Sequence, residues 1–205
     1  MNTRDYNITQ WESLGVNYWG ITKAANSTIK SHLLKASGFS QNEWLDTVKV
    51  NKESLADYIT PEQAHNNSLL NFTVIRHPLG RAVSVYKDLV MSRPERSVSA
   101  GLSEDMTLDD YFDFLSSTDD DSCDVHMKSI SWFIKSDLQF VFKLENKFLD
   151  WRFNFAEAPN VVVNKSASTT LDLKRNHIKI VEQRYKEDFT RFDYDPKAVG
   201  YALNL

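Results

Sequence analysis

The chain has 205 residues, 41% of them hydrophobic and 25% charged, with a net charge of −4. That size and balance fit one globular domain spanning 1–205 with a real core. They argue against a broad nucleic-acid surface, which needs excess positive charge. One cysteine, Cys123, rules out an internal disulfide. The N-terminus lacks the apolar core of a secretory signal, and no apolar run reaches the ~20 residues that span a bilayer. The expected location is therefore cytoplasmic or otherwise soluble, with no membrane segment.

In chain order, Val16–Ile21 reads as a buried strand and Ser27 or Thr28 opens a helix. That helix places Ile29, Leu33 and Leu34 on one face and ends at Gly38. Leu45–Val50 is a weak strand, and 51–68 reads as a helix-poor connection. Leu69–Ile75 is a strong strand, β-branched and aromatic without Gly or Pro. Pro78 starts a helix whose buried face would hold Val83, Tyr86 and Val90. Thr107 and Asp110 form a capping box ahead of the stripe Leu108, Tyr111, Phe112 and Leu115. The acidic run after Ser117 reads as a solvated turn, since it lacks the spacing of a calcium loop.

Val125–Ile134 reads as helical, the segments from Leu138 and over Asn160–Asn164 as strands, and about 176–192 as a final amphipathic helix. Strands alternating with helices predict an α/β fold, a P-loop-like three-layer α/β/α arrangement with a mainly parallel central sheet.

In such folds ligands gather at the carboxyl ends of strands, where a following helix N-terminus attracts anions. The segment Thr22, Lys23, Ala24, Ala25, Asn26, Ser27, Thr28 lies at that place. Gly15 and Gly20 have the Walker A spacing, but Ile21-Thr22 stand where Lys-Ser/Thr belongs, so the Mg²⁺-ligating hydroxyl is missing. The segment fits an anion loop and an ordinary turn with a solvated lysine equally well. Arg76 leaves the second strand and Ser84 follows eight residues later, where both could reach one phosphate. A surface arginine and a packing serine are the plainer alternative.

The pair of segments resembles the sulfotransferase superfamily, which uses 3′-phosphoadenosine 5′-phosphosulfate (PAPS). "ITKAANSTIKSHLL" resembles its 5′-phosphosulfate loop. "FTVIRHPLGRAVSVY" resembles its 3′-phosphate motif, with Arg76, Pro78, Arg81, Ser84 and Tyr86 in place. "CDVHMKSISWFI", "LQFVFKLENKFLDWRF", "VVVNKSAST" and "IVEQRYKEDFTRFDYD" are similar to later segments in the same order, most closely those of Golgi-type carbohydrate sulfotransferases and their bacterial relatives. The departures are Thr22 for the usual Pro, Asn26 for a frequent Gly, His77 for the usual Asp and Met127 for a common Trp.

The resemblance implies transfer of a sulfuryl group from PAPS to an acceptor hydroxyl, on a saccharide by default, leaving 3′,5′-bisphosphoadenosine and needing no metal. It implies that Lys23 neutralises leaving-group charge and that residues 22–28 hold the 5′-phosphate. Arg76 and Ser84 would hold the 3′-phosphate, with Asn164, Lys165 and Ser166 closing over the nucleotide. His126 and His65 are the candidate bases, since histidine titrates near neutrality; a structural role fits either one too. Arg93, Arg96, Lys143, Lys147 and Arg152 could meet an acidic sugar or simply face water. A small-molecule kinase and a non-catalytic nucleotide-binding module are the competing readings.

Overall fold

The computed structural model describes residues 7–38, 56–154, 157–159 and 171–203. These fall into two compact units: one drawn from 1–75 and 136–164, the other from 76–135 and 165–205.

The first unit is built on a five-stranded sheet. Its strands are β1 (Ile8–Trp11), β2 (Val16–Trp19), β3 (Asp57–Ile59), β4 (Leu70–Ile75) and β5 (Phe140–Lys143), in the order β3-β1-β2-β4-β5. β2–β4 and β4–β5 pair in parallel, while β1 pairs antiparallel with both β2 and β3. Only β1 therefore runs against the other four, so the sheet is mixed and largely parallel. Strand alternation sends Val16 and Tyr18 to one face and Trp19 to the other. On the first face they meet Phe72, Val74, Phe142 and the apolar stripe Ile29, Leu33 and Leu34 of α1 (Asn26–Ala36). On the second face Trp19 packs with Ile8, Ile59 and Ala64 of α2 (Pro61–Asn66). Helices thus flank both faces of the sheet, as the sequence predicts.

Inside the second face Asn17 and Asn71 are buried but satisfied. The Asn17 amide donates to the Asn67 and Asn71 side chains at 2.8 and 3.2 Å, and the Trp19 indole donates to Asn71 at 2.9 Å. Full pairing makes such buried amides tolerable and fixes the register of β2 against β4.

The second unit is helical among the described residues. α3 (Pro78–Tyr86) is buried along its whole length and runs into a π-helical turn, Lys87–Ser92. Burial all round exceeds the single face that periodicity suggests. After α4 (Pro94–Ser97) comes α5 (Leu108–Ser117), which carries the expected Thr107–Asp110 capping box and buries Tyr111, Phe112 and Leu115. α6 (Ile130–Phe133), α7 (Arg175–Arg184) and α8 (Lys186–Arg191) complete its core.

Some sequence expectations need correction. The 51–68 connection contains β3 and α2, the latter started by Pro61 and a Thr60–Gln63 capping box. Val125–Ile134 is helical only over Ile130–Phe133: Ser129 caps its start by accepting from the Trp132 N–H at 3.0 Å, and the buried Asp188 carboxylate accepts from the Ile130 and Ser131 N–H groups, both at 2.8 Å. The final helix breaks at Tyr185, whose hydroxyl donates to the Met127 carbonyl at 2.7 Å. The acidic turn is not wholly solvated: Asp120 caps Ser129 and pairs with Arg184. The strands read at Leu45–Val50 and Asn160–Asn164 lie outside the described residues.

Candidate functional site

β2 and β4 are parallel neighbours, so their carboxyl ends lie side by side within the sheet unit. From the end of β2 the chain passes Gly20 and Ile21 and makes a tight loop before α1 begins at Asn26. Two residues of this loop, Lys23 and Ala25, are left-handed, with φ of 62° and 60°. Non-glycine residues avoid this region unless the surroundings impose it, at a cost on the order of 1 kcal/mol each. Loops that mix left- and right-handed residues can present N–H groups to an anion; here the Ala24 N–H donates to the Ile21 carbonyl at 3.3 Å. Ala25 is the N-cap of α1 and has no side-chain acceptor to close the first turn. The positive end of the α1 dipole lies there. Ala24 is fully buried and small, while Thr22, Lys23, Asn26 and Ser27 are half-buried and Thr28 is buried.

Gly20 sits at the root of the loop for a steric reason. A Cβ there would stand 2.5 Å from the Asn7 amide nitrogen and 2.6 Å from Asn26 Oδ1. The Gly20 N–H donates to the Asn7 carbonyl at 3.0 Å, and the Asn7 side-chain amide donates back to the Gly20 carbonyl at 2.9 Å.

Arg76 follows β4 directly, and Ser84, 7% exposed, lies on α3. His77 explains the tolerated departure from Asp. Its Nδ1 accepts from the Leu79 N–H at 3.2 Å, capping α3, and its Nε2 donates to the Asp195 carbonyl at 3.0 Å. An aspartate could make only the first bond. Arg81 is buried and donates to the His126 carbonyl at 3.1 Å, so it shapes the turn bearing that histidine. Lys87 is held below the ordinary lysine range by burial first and then by the charge of Arg76.

His126 belongs to the same unit. Its Nδ1 lies 2.6 Å from Asp124 Oδ1, which also accepts from the His126 backbone N–H at 2.9 Å. Burial raises the Asp124 pKa, but the hydrogen bonds from His126 outweigh it, and the carboxyl ends below its usual range. An ionised Asp124 keeps the proton on Nδ1 and leaves Nε2 as the acceptor, the tautomer a general base requires. The sequence reading did not single out Asp124; its signal was the Asp-x-His spacing.

His65 is placed differently. It occupies the last turn of α2, ahead of the amino end of β4, with its ring 5.2 Å from Trp19 and its Nε2 2.5 Å from Ser136 Oγ. Trp19 is the last residue of β2, and Ser136 precedes β5. Asn164, Lys165 and Ser166 lie outside the described residues. Among the acceptor-side cations, Arg93 is already paired with Asp88. Among the described residues, no group of three or more His, Cys, Asp or Glu is arranged to hold a metal, and no helix is long and apolar enough to cross a membrane.

A loop with two left-handed residues thus follows β2 and precedes α1, and Arg76 comes directly after β4 in the chain. The chain belongs to the sulfotransferase family: the profile described as "Sulfotransferase family" matches residues 7–195. It is thus a PAPS-dependent transferase acting on an acceptor substrate, in a family that includes carbohydrate sulfotransferases. No curated protein and no solved structure matches the chain.

Proposed function

We propose that 1–205 works as one sulfotransferase domain that moves the sulfuryl group of PAPS to a carbohydrate hydroxyl, without a metal. The loop after β2 supports this reading most directly: left-handed Lys23 and Ala25 lead into an uncapped helix start. In this scheme Thr22 to Thr28 hold the 5′-phosphate, and Lys23 neutralises the bridging oxygen. Arg76 and Ser84 hold the 3′-phosphate, with Asn164, Lys165 and Ser166 closing over the nucleotide. The acceptor hydroxyl gives its proton to His126 Nε2 while its oxygen attacks sulfur. The sulfur–oxygen bond to the phosphate breaks, and 3′,5′-bisphosphoadenosine leaves. Catalysis then rests on positioning and on stabilising leaving-group charge. His126 is preferred to His65 because Asp124 orients its ring, whereas the partner of the His65 ring is the Ser136 hydroxyl.

The test is calorimetry with 3′,5′-bisphosphoadenosine, AMP and ATP with Mg²⁺, followed by turnover of variants. Lys23→Ala should lower kcat by on the order of 10²–10³ with the fold intact. Arg76→Ala should weaken PAPS far more than adenosine 5′-phosphosulfate. Tight ATP·Mg²⁺ binding without bisphosphate binding would mean a kinase, and bisphosphate binding without transfer to any sugar would mean a non-catalytic module.

A further inference from the structure

Lys30 lies one helical turn beyond Asn26 on α1 and is half-buried, its ammonium held by groups of the sheet unit. Its Nζ donates to Asn7 Oδ1 at 2.7 Å and to the Tyr58 hydroxyl at 3.2 Å, and it stands 5.0 Å from the centre of the Tyr58 ring. Both hydrogen-bond partners are neutral. A half-buried cation whose hydrogen-bond partners among the described residues are neutral carries a desolvation cost unless something offsets it. Burial accordingly lowers its pKa from 10.5 to about 8. A methionine would fill the same space more cheaply, so the charge calls for a reason.

The neighbours supply one. Asn7 is itself left-handed, with φ of 50°, and grips Gly20 by both its N–H and its carbonyl. Lys30 fixes the Asn7 carboxamide so that its nitrogen, not its oxygen, faces Gly20. Gly20 has no room to shift, with Asn7 on one side and Asn26 Oδ1 on the other. The chain Lys30–Asn7–Gly20 therefore anchors the root of the loop whose next residues are Ile21 to Ala25. Tyr58, on the edge strand β3, holds the lysine from the other side.

We propose that Lys30 is a positioning residue for the sulfate donor: acting through Asn7 it sets the 5′-phosphosulfate loop, and its ammonium adds a second cation behind that loop. This inference rests on the sulfotransferase reading of residues 22–28. It separates the two ends of the nucleotide, because the loop is assigned the 5′-phosphate alone.

The experiment compares 3′,5′-bisphosphoadenosine with 3′-AMP, which lacks the 5′-phosphate, by titration calorimetry on wild type, Lys30→Met, Lys30→Arg, Asn7→Ala and the Lys30→Met/Asn7→Ala double variant. Lys30→Met should weaken the bisphosphate on the order of tenfold, the scale of one hydrogen bond to a charged group. It should leave 3′-AMP within about twofold, inside the scatter expected of an uncoupled site. Lys30→Arg should recover part of the loss. The double variant should lose less than the sum of the two single losses, since both act through one contact. Equal losses for both nucleotides, strict additivity, or wild-type bisphosphate affinity in Lys30→Met would overturn the positioning role while leaving the donor reading intact. Failure of the wild type to bind bisphosphate would remove the donor reading and this inference with it.

Discussion

Several side chains in this protein hold chemistry that apolar residues could not, and each makes a different demand. Lys30 is the most exposed to test. The unfolded chain keeps its proton up to 10.5 and the folded chain releases it at about 8. Between those values the unfolded state binds more protons, so this group makes stability rise with pH across that window and penalises the fold below it. Lys30→Met should therefore raise the thermal midpoint at pH 7 and flatten the rise between pH 8 and 10.5. Urea unfolding across that range reads the slope; identical slopes in both proteins would contradict the burial of a charged amine. Tyr18 makes the opposite case. It is fully buried, and its hydroxyl has no partner among the described residues. Tyr18→Phe should leave stability unchanged or raise it by up to about 1 kcal/mol, since it removes an unmet polar group. A clear loss on denaturant unfolding would show that the hydroxyl is satisfied after all.

At the scale of elements, the helical unit depends on one carboxylate. Asp188 is fully buried and accepts from the Ile130 N–H, the Ser131 N–H and the Ser131 hydroxyl, the last at 2.7 Å. Burial raises its pKa, and the three hydrogen bonds pull it back only in part. Asp188→Ala would leave those donors buried and unmet, and should lower stability by roughly 3 kcal/mol. Asp188→Asn keeps an acceptor oxygen and should lose less. Equal effects of the two substitutions on denaturant midpoints would show that charge, not acceptance, matters. The same contact explains why Val125–Ile134 misleads as a sequence. Its apolar spacing suits a helix from Val125, but Ser129 caps a later start, and Asp188, 58 residues beyond Ile130, braces it there. The capping boxes behave differently. Thr107–Asp110 is legible because both partners lie within one turn. Thr60–Gln63 follows the same rule, yet the short, polar α2 behind it has no apolar stripe to announce it.

For the whole molecule, the prediction is that the folded protein binds its product and needs no metal. At a hundredfold excess over Kd, 3′,5′-bisphosphoadenosine should add about 2.7 kcal/mol to stability. AMP at the same concentration should add less, because it leaves Arg76 and Ser84 without a phosphate. Thermal unfolding with each nucleotide measures the difference. Equal shifts would refute the 3′-phosphate assignment. Turnover in the presence of a chelator should be unchanged; loss that Mg²⁺ restores would overturn the metal-free scheme.

The sequence by itself determined the α/β class, the strands at Val16 and Leu69, and the helix starts at Pro78 and Thr107. These are local signals: strand alternation, caps and short-range spacing act within a few residues. Only the tertiary structure decided what those residues meet. It gave β1 its reversed direction, made His77 a two-ended brace, assigned Arg81 to the turn of His126, set Asp124 behind that histidine and brought His65 to Trp19 and Ser136. It also joined Asn7 to Gly20 and Lys30 across 13 and 23 residues. Hydrogen bonds of that reach depend on the packing of whole elements, and no periodicity along the chain encodes them.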